Sequence, residues 1–119
     1  MTDHVLVPVD GSPLSLDALR HALTTFPEAN VTVLHVIDLA EPGYGTPSEF
    51  DPDYEPVTGS EEWYERAEEY TEDLFETARD VAADHGREVT TVSEVGDPKR
   101  AIVEYADESD VDHIVVGAH

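Results

Sequence analysis

Short apolar runs alternate along the chain with longer stretches in which apolar residues recur every three or four positions. The run "HVLVPV", His4 to Val9, is dominated by valine and reads as a strand buried on both faces. "DGS" turns the chain; Ser12 then suits an N-cap and Pro13 the first helical position. Leu16, Leu19, Leu23 and Phe26 form one helical stripe, and Pro27 ends that helix. "VTVLHVI", Val31 to Ile37, reads as a second buried strand. Ser60, Glu61 and Glu62 open a long helix whose buried stripe is Trp63, Ala67, Tyr70, Leu74, Ala78, Val81 and Ala82. Gly86 fits its C′ stop. "EVTTVSEV", Glu88 to Val95, alternates like a strand with one wetter face. Asp97 and Pro98 repeat the cap-and-proline device, and Ala101, Ile102, Tyr105 and Ala106 give a short apolar face. Val111 to Val116 reads as a fourth strand, with Gly117 starting a turn.

The predicted order is β-α-β-α-β-α-β, a single α/β domain over 1–119. Strands alternating with helices imply a parallel sheet with right-handed crossovers. Ligands in such open sheets bind at the carboxyl ends of strands, where the strand order reverses. Three turns are expected on that edge: "VDGS", "VIDLA" and "VGAH". Between Ala40 and Gly59 lie four prolines, three glycines and no periodicity. That composition predicts a long mobile loop over 40–60.

Charge changes the picture. The chain has 28 acidic residues against 6 basic ones, a formal net charge of -22 over 119 residues. The folded state repels itself in dilute buffer. In molar salt the screening length falls to roughly 3 Å and that cost shrinks. The acids are spread along the chain and interleaved with apolar periodicity, so an acidic disordered tail fits badly. A halophilic cytoplasm fits better. The same charge argues against nucleic-acid binding and against an anionic membrane surface. With no cysteine there is no disulfide framework or thiolate metal site. No stretch is apolar enough to span a bilayer and the N-terminus has no signal-peptide layout. A soluble, cytoplasmic protein is expected.

Two end segments carry a family resemblance. "VLVPVDGSPLSLDALRHAL" followed by "VTVLHVID" resembles the opening of the universal stress protein (UspA-like) family, and "GDPKRAIVEYADESDVDHIVVGAH" resembles its third helix and fourth strand. The resemblance implies a three-layer, doubly wound parallel sheet of the adenine nucleotide alpha hydrolase-like kind. Its strand order is 3-2-1-4-5, it is usually a homodimer, and many members bind ATP with Mg²⁺. It implies a nucleotide site at Pro8, Val9 and Asp10 after the first strand. Val36 at the end of the second, and Val116 with Gly117 after the fourth, would complete it. In the family the phosphate-binding stretch is G-x2-G-x9-G-[ST]; only its first glycine has a counterpart here, at Gly117. On that pattern the chain is C-terminally incomplete, without the phosphate glycines and the fifth strand, and it leaves the "HIVV" edge bare. A halophilic archaeal source is expected.

Each candidate residue also has a plainer reading. Asp10 suits a turn aspartate capping backbone N–H groups, or a ligand contact accepting a ribose hydroxyl. Ser12 is a helix cap rather than a nucleophile, because "GSPLS" is not the G-x-S-x-G elbow. Lys99 and Arg100 suit solvated helix positions rather than phosphate contacts. The six histidines show no metal-ligand spacing; His35 and His113 read as packed or hydrogen-bonded strand residues, and His119 as a terminal one. The glutamates of "SEEWYERAEEYTEDLFE" read as a solvated outer face. No catalytic residue and no metal ligand is assigned.

Two functions remain in view. One is an ATP-binding stress-response module with little or no turnover, since no arginine finger or water-positioning residue stands out. The other is a dimerisation or partner-docking module of the same fold without nucleotide. A response-regulator receiver is disfavoured, because Asp10 is alone after the first strand and Asp97 is explained as a cap. "VDGSPLS" is neither G-x-G-x-x-G nor a Walker A loop.

Overall fold

The computed structural model describes residues 3–10, 12–37 and 61–117. The predicted 40–60 loop, Gly11 and His119 lie outside the described residues. Seven elements follow in order: β1 (His4–Pro8), α1 (Pro13–Thr25), β2 (Asn30–Ile37), α2 (Glu61–Asp84), β3 (Thr90–Val95), α3 (Pro98–Glu108) and β4 (His113–Ile114). All strands run parallel in the order β3-β2-β1-β4. This is the parallel α/β sheet with flanking helices that the alternation predicts.

The caps behave as the residue types dictate. The Ser12 hydroxyl accepts from the Ser15 N–H and Pro13 follows it; the Asp97 carboxylate accepts from the Lys99 N–H and Pro98 follows it. At the end of α2, Gly86 is left-handed (φ +68°), the Arg87 N–H bonds the Ala82 carbonyl and the Gly86 N–H bonds that of Ala83. That is a Schellman stop. The end of α3 repeats the outer bond of this motif, Val111 N–H to the Ala106 carbonyl, with Asp110 in the left-handed position (φ 52°) where glycine is usual.

Side chains alternate between the faces of the two central strands. Val5, Val7, Val31 and Val33 share one core with Leu19, Leu23, Leu74, Phe75 and Ala78, so α1 and α2 cover that face. Leu6, Leu34 and Val36 face the other way, against Ala101, Ile102 and Tyr105 of α3. Leu6 and Leu19 are fully buried; burial of such a side chain contributes roughly 1.5–3 kcal/mol. The α1 stripe is shifted from the expected one: Ala18 and Ala22 are buried with Leu19 and Leu23, whereas Leu16 and Phe26 are only half-buried. In α2, Thr71 and Phe75 join the buried stripe and Tyr70 sits half-exposed.

The last strand differs most from expectation. Only Val5–His113 and Leu6–Ile114 pair, flanked by the bonds Asp112 N–H to the His4 carbonyl and Val115 N–H to that of Leu6. Helix α3 packs over β2 and β3 rather than over β4. Ile114 and Val116 are therefore left 42% and 60% exposed.

Candidate functional site

The strand order sets the place. From β1 the chain steps outward through β2 to β3, then crosses to the opposite side of β1 for β4. The reversal falls between β1 and β4, whose carboxyl ends carry Asp10 and Gly117.

At the end of β1 the ladder is continued by side chains. The Val9 N–H bonds the Leu34 carbonyl at 2.8 Å. The Val9 carbonyl accepts from His35 Nδ1 at 2.8 Å. The Asp10 carbonyl accepts from the Tyr70 hydroxyl at 3.1 Å. His35 and Tyr70 meet edge to face, with ring centroids 5.9 Å apart. The turn then closes on itself: the Ser12 N–H bonds Asp10 Oδ1 at 2.9 Å, the Ser15 hydroxyl donates to the Ser12 carbonyl at 2.9 Å, and the Asp10 N–H reaches Ser15 Oγ at 3.4 Å.

Gly117 comes against the same helix turn. A Cβ there would collide with the Leu14 carbonyl and lie 2.8 Å from the Ser15 nitrogen. Ser15 thus joins the two turns, with its hydroxyl toward Asp10 and its amide under Gly117. It is buried, a polar residue inside an otherwise apolar helix face.

The ionisation states follow from these surroundings. Partial burial works to raise the Asp10 pKa, but the hydrogen bonds from Ser12 and Ser15 outweigh it, and the carboxyl sits below its ordinary value. Burial lowers the His35 pKa against the opposing effects of the Val9 carbonyl and Asp10, so its ring is held neutral at pH 7. Burial, then the Asp10 charge, raise that of Tyr70. At neutral pH the cluster presents one carboxylate beside a neutral imidazole and a protonated phenol.

The other expected site residues are placed as follows. Val9 and Val36 are 2% and 3% exposed, their side chains taken by the two cores. Pro8 is half-buried at the end of β1, and Val116 is exposed beside Gly117. Ser12 holds a cap bond and Asp10 a turn bond, so the turn roles expected of these two are seen directly. Lys99 and Arg100 are exposed; Arg100 lines a hollow with Glu94, Glu104 and Glu108, away from Asp10's bonded partners. His113 stacks on Phe26 at 5.0 Å.

The sequence model of the universal stress protein family matches residues 1–119.

The chain belongs to the universal stress protein family.

A universal stress protein of Methanocaldococcus jannaschii is 31% identical over 115 residues, covering 95% of this chain and 62% of that protein. The chain therefore spans less than two thirds of that relative's length. Among solved structures, the universal stress protein UspA from Lactobacillus plantarum superposes with a TM-score of 0.70 at 27% identity, over 97% of this chain and 76% of that one. A universal stress protein in complex with cAMP gives 0.66 at 27% identity, over 97% and 75%. Two residues of the site in this universal stress protein, Ser15 and Tyr70, carry no anchoring role in the sequence pattern; His35, expected to be packed or hydrogen-bonded, is both. Ser15 is signalled only by a polar position facing the core three residues after the cap. His35 is signalled by a histidine inside a valine-rich strand.

Proposed function

We propose that this universal stress protein binds an adenine nucleotide, ATP with Mg²⁺, and acts as a regulatory module with little or no turnover. The observation that carries the reading is the meeting of the Asp10 turn and Gly117 across Ser15, at the strand-order reversal. An anionic Asp10 suits a ribose hydroxyl donor. Gly117, with no side chain, lets the turn after β4 seat against the first turn of α1 beside Asp10. Pro8, Val9, Asp10 and Val36 are assigned to the base and ribose, the buried valines through their main chain, and Val116 with Gly117 to the start of the phosphate turn. A solved neighbour at 27% identity is described as a complex with cAMP, which supports an adenine ligand. Mg²⁺ would arrive with the phosphates. Slow or absent hydrolysis is consistent with serines engaged in capping and a histidine engaged with Val9. A homodimer, as the family resemblance implies, and a salt-rich cytoplasm, as the acidic composition suggests, are part of the same reading.

A second reading is a partner-docking module without nucleotide. The exposure of Val103 at 64%, together with Ile114 and Val116, favours it. Calorimetric titration in molar KCl with Mg-ATP, AMP and cAMP decides between them. Saturable binding of at least one supports the first reading; absence of binding by all three overturns it.

A further inference from the structure

We propose that Tyr70 and His35 are positioning residues for this site: from α2 and β2 they fix the two carbonyls of the β1 turn and so aim Asp10 at the ligand. The inference rests on the nucleotide reading.

The geometry carries it. β1 pairs with β2 as far as Pro8 and Leu34, and β4 pairs only at His113 and Ile114. Among the described residues no ladder holds the chain beyond Val9. Two successive carbonyls, Val9 and Asp10, are instead bonded by side chains 26 and 60 residues away in sequence. The two rings brace one another edge to face. With the Asp10 carbonyl held by Tyr70 and its N–H by Ser15, the peptide planes on both sides of its Cα are fixed, and so is the Cα–Cβ direction from which the Ser12 N–H holds the carboxylate.

The two anchors differ in what else they do. His35 is wholly buried and satisfies a carbonyl at the edge of the core, so it contributes to folding as well as to aim. Tyr70 reaches an exposed residue whose carbonyl water would otherwise satisfy. A bond of that kind adds little net stability. Its effect is to select one orientation of the turn. Removing the Tyr70 hydroxyl should therefore change binding more than stability.

The test compares Tyr70→Phe, His35→Leu and His35→Asn with the unaltered chain in molar KCl. The Asn amide nitrogen stands close to where Nδ1 stood. Affinity for Mg-ATP, AMP and cAMP, thermal unfolding, and amide exchange at Ser12 in the ligand-free protein are measured. Tyr70→Phe should bind about three- to tenfold more weakly, with an unfolding midpoint lowered by no more than about 4 °C. Its Ser12 amide, bonded to Asp10 Oδ1, should exchange faster. His35→Leu should weaken binding and His35→Asn should recover most of it. Unchanged affinity in Tyr70→Phe overturns the proposal. An unaltered chain that binds none of Mg-ATP, AMP and cAMP overturns the nucleotide reading instead. Ser12 exchange in Tyr70→Phe then decides the positioning role alone: faster exchange supports it, unchanged exchange overturns it.

Discussion

Gly117 and Leu14 meet main chain to main chain, so closely that a Cβ on Gly117 would run into the Leu14 carbonyl. Main-chain atoms of a helix's first turn cannot swing aside as a flexible side chain would. Gly117→Ala should therefore cost about 1–3 kcal/mol of stability or displace the turn after β4. Chemical denaturation reads the first outcome. Nucleotide titration reads the second, with affinity expected to fall by about tenfold or more. A variant unchanged in both respects would show that the contact is absent in solution.

Arg87 bonds three carbonyls at once: Nη1 donates to Leu23 at 2.9 Å and Phe26 at 3.0 Å, and Nη2 to Ala29. The guanidinium closes the end of α1 and the connection into β2, and it favours the negative end of the helix dipole. Lysine carries the charge but not the planar fork. Arg87→Lys should destabilise by about 1–3 kcal/mol, seen as a lower urea midpoint at an unchanged slope. Stability equal to the unaltered chain would show that water replaces the fork without cost.

Asp110 holds a left-handed conformation at the end of α3. Glycine adopts that conformation without a steric penalty. Asp110→Gly should stabilise by about 0.5–1 kcal/mol, and it also removes one acid from a strongly acidic chain. A lower unfolding midpoint would mean that the aspartate side chain makes a compensating bond.

Salt should act on the whole molecule. At -22 the folded chain repels itself, and the ion pairs among the described residues do not offset this: Arg20–Asp17 and Arg79–Glu72 are local pairs on exposed side chains, and the longer Arg66–Glu62 pair is half-exposed. Raising KCl from about 0.1 M to about 1 M shortens the screening length from roughly 10 Å to roughly 3 Å, and the unfolding midpoint should rise. Choline chloride at equal ionic strength should do much the same. A midpoint insensitive to either salt would show that repulsion is not limiting.

Acid should undo one specific link. The Asp112 carboxylate accepts from the N–H groups of Asp3 and His4, both at 2.9 Å, and these bonds hold its pKa below the ordinary aspartate value. The folded chain thus binds that proton less readily than the unfolded one. The stability it contributes is present above the unfolded value of about 3.9 and is lost as pH falls through the lowered folded value. In molar salt, Asp112→Asn should be less stable than the unaltered chain at pH 7, and the gap should narrow below about pH 4. A gap constant with pH would overturn this assignment.

The architecture was legible because its signals are local. Ser12–Pro13 and Asp97–Pro98 announce helix starts, Gly86 a stop, and the valine runs a sheet covered on both faces. What escaped the sequence depends on distant parts of the chain. The α1 stripe turned toward Ala18 and Ala22 because small residues allow helix and sheet to approach closely. Tyr70 fits a helix stripe by spacing alone; only the fold reveals that its hydroxyl faces the Asp10 carbonyl. β4 read as six residues but pairs over two, because α3 leans toward β2 and β3 and leaves little to hold the far edge. Of the candidate site, Asp10 and Gly117 were legible as turn residues; that both meet on Ser15 was not.

The central position of β1 has a consequence for synthesis on the ribosome. β1 is made first, yet one of its two neighbours contains His113 and Ile114, and Asp3 waits for Asp112, 109 residues later. β1, β2 and β3 with their helices can assemble while translation continues, leaving one side of the central strand open. The Asp10 turn exists in that nascent intermediate, but Gly117 does not yet lie beside it. The pairing of β4 and the assembly of the proposed site are therefore one late event, and a ribosome-stalled chain ending before β4 should be partly folded and, on the nucleotide reading, unable to bind nucleotide.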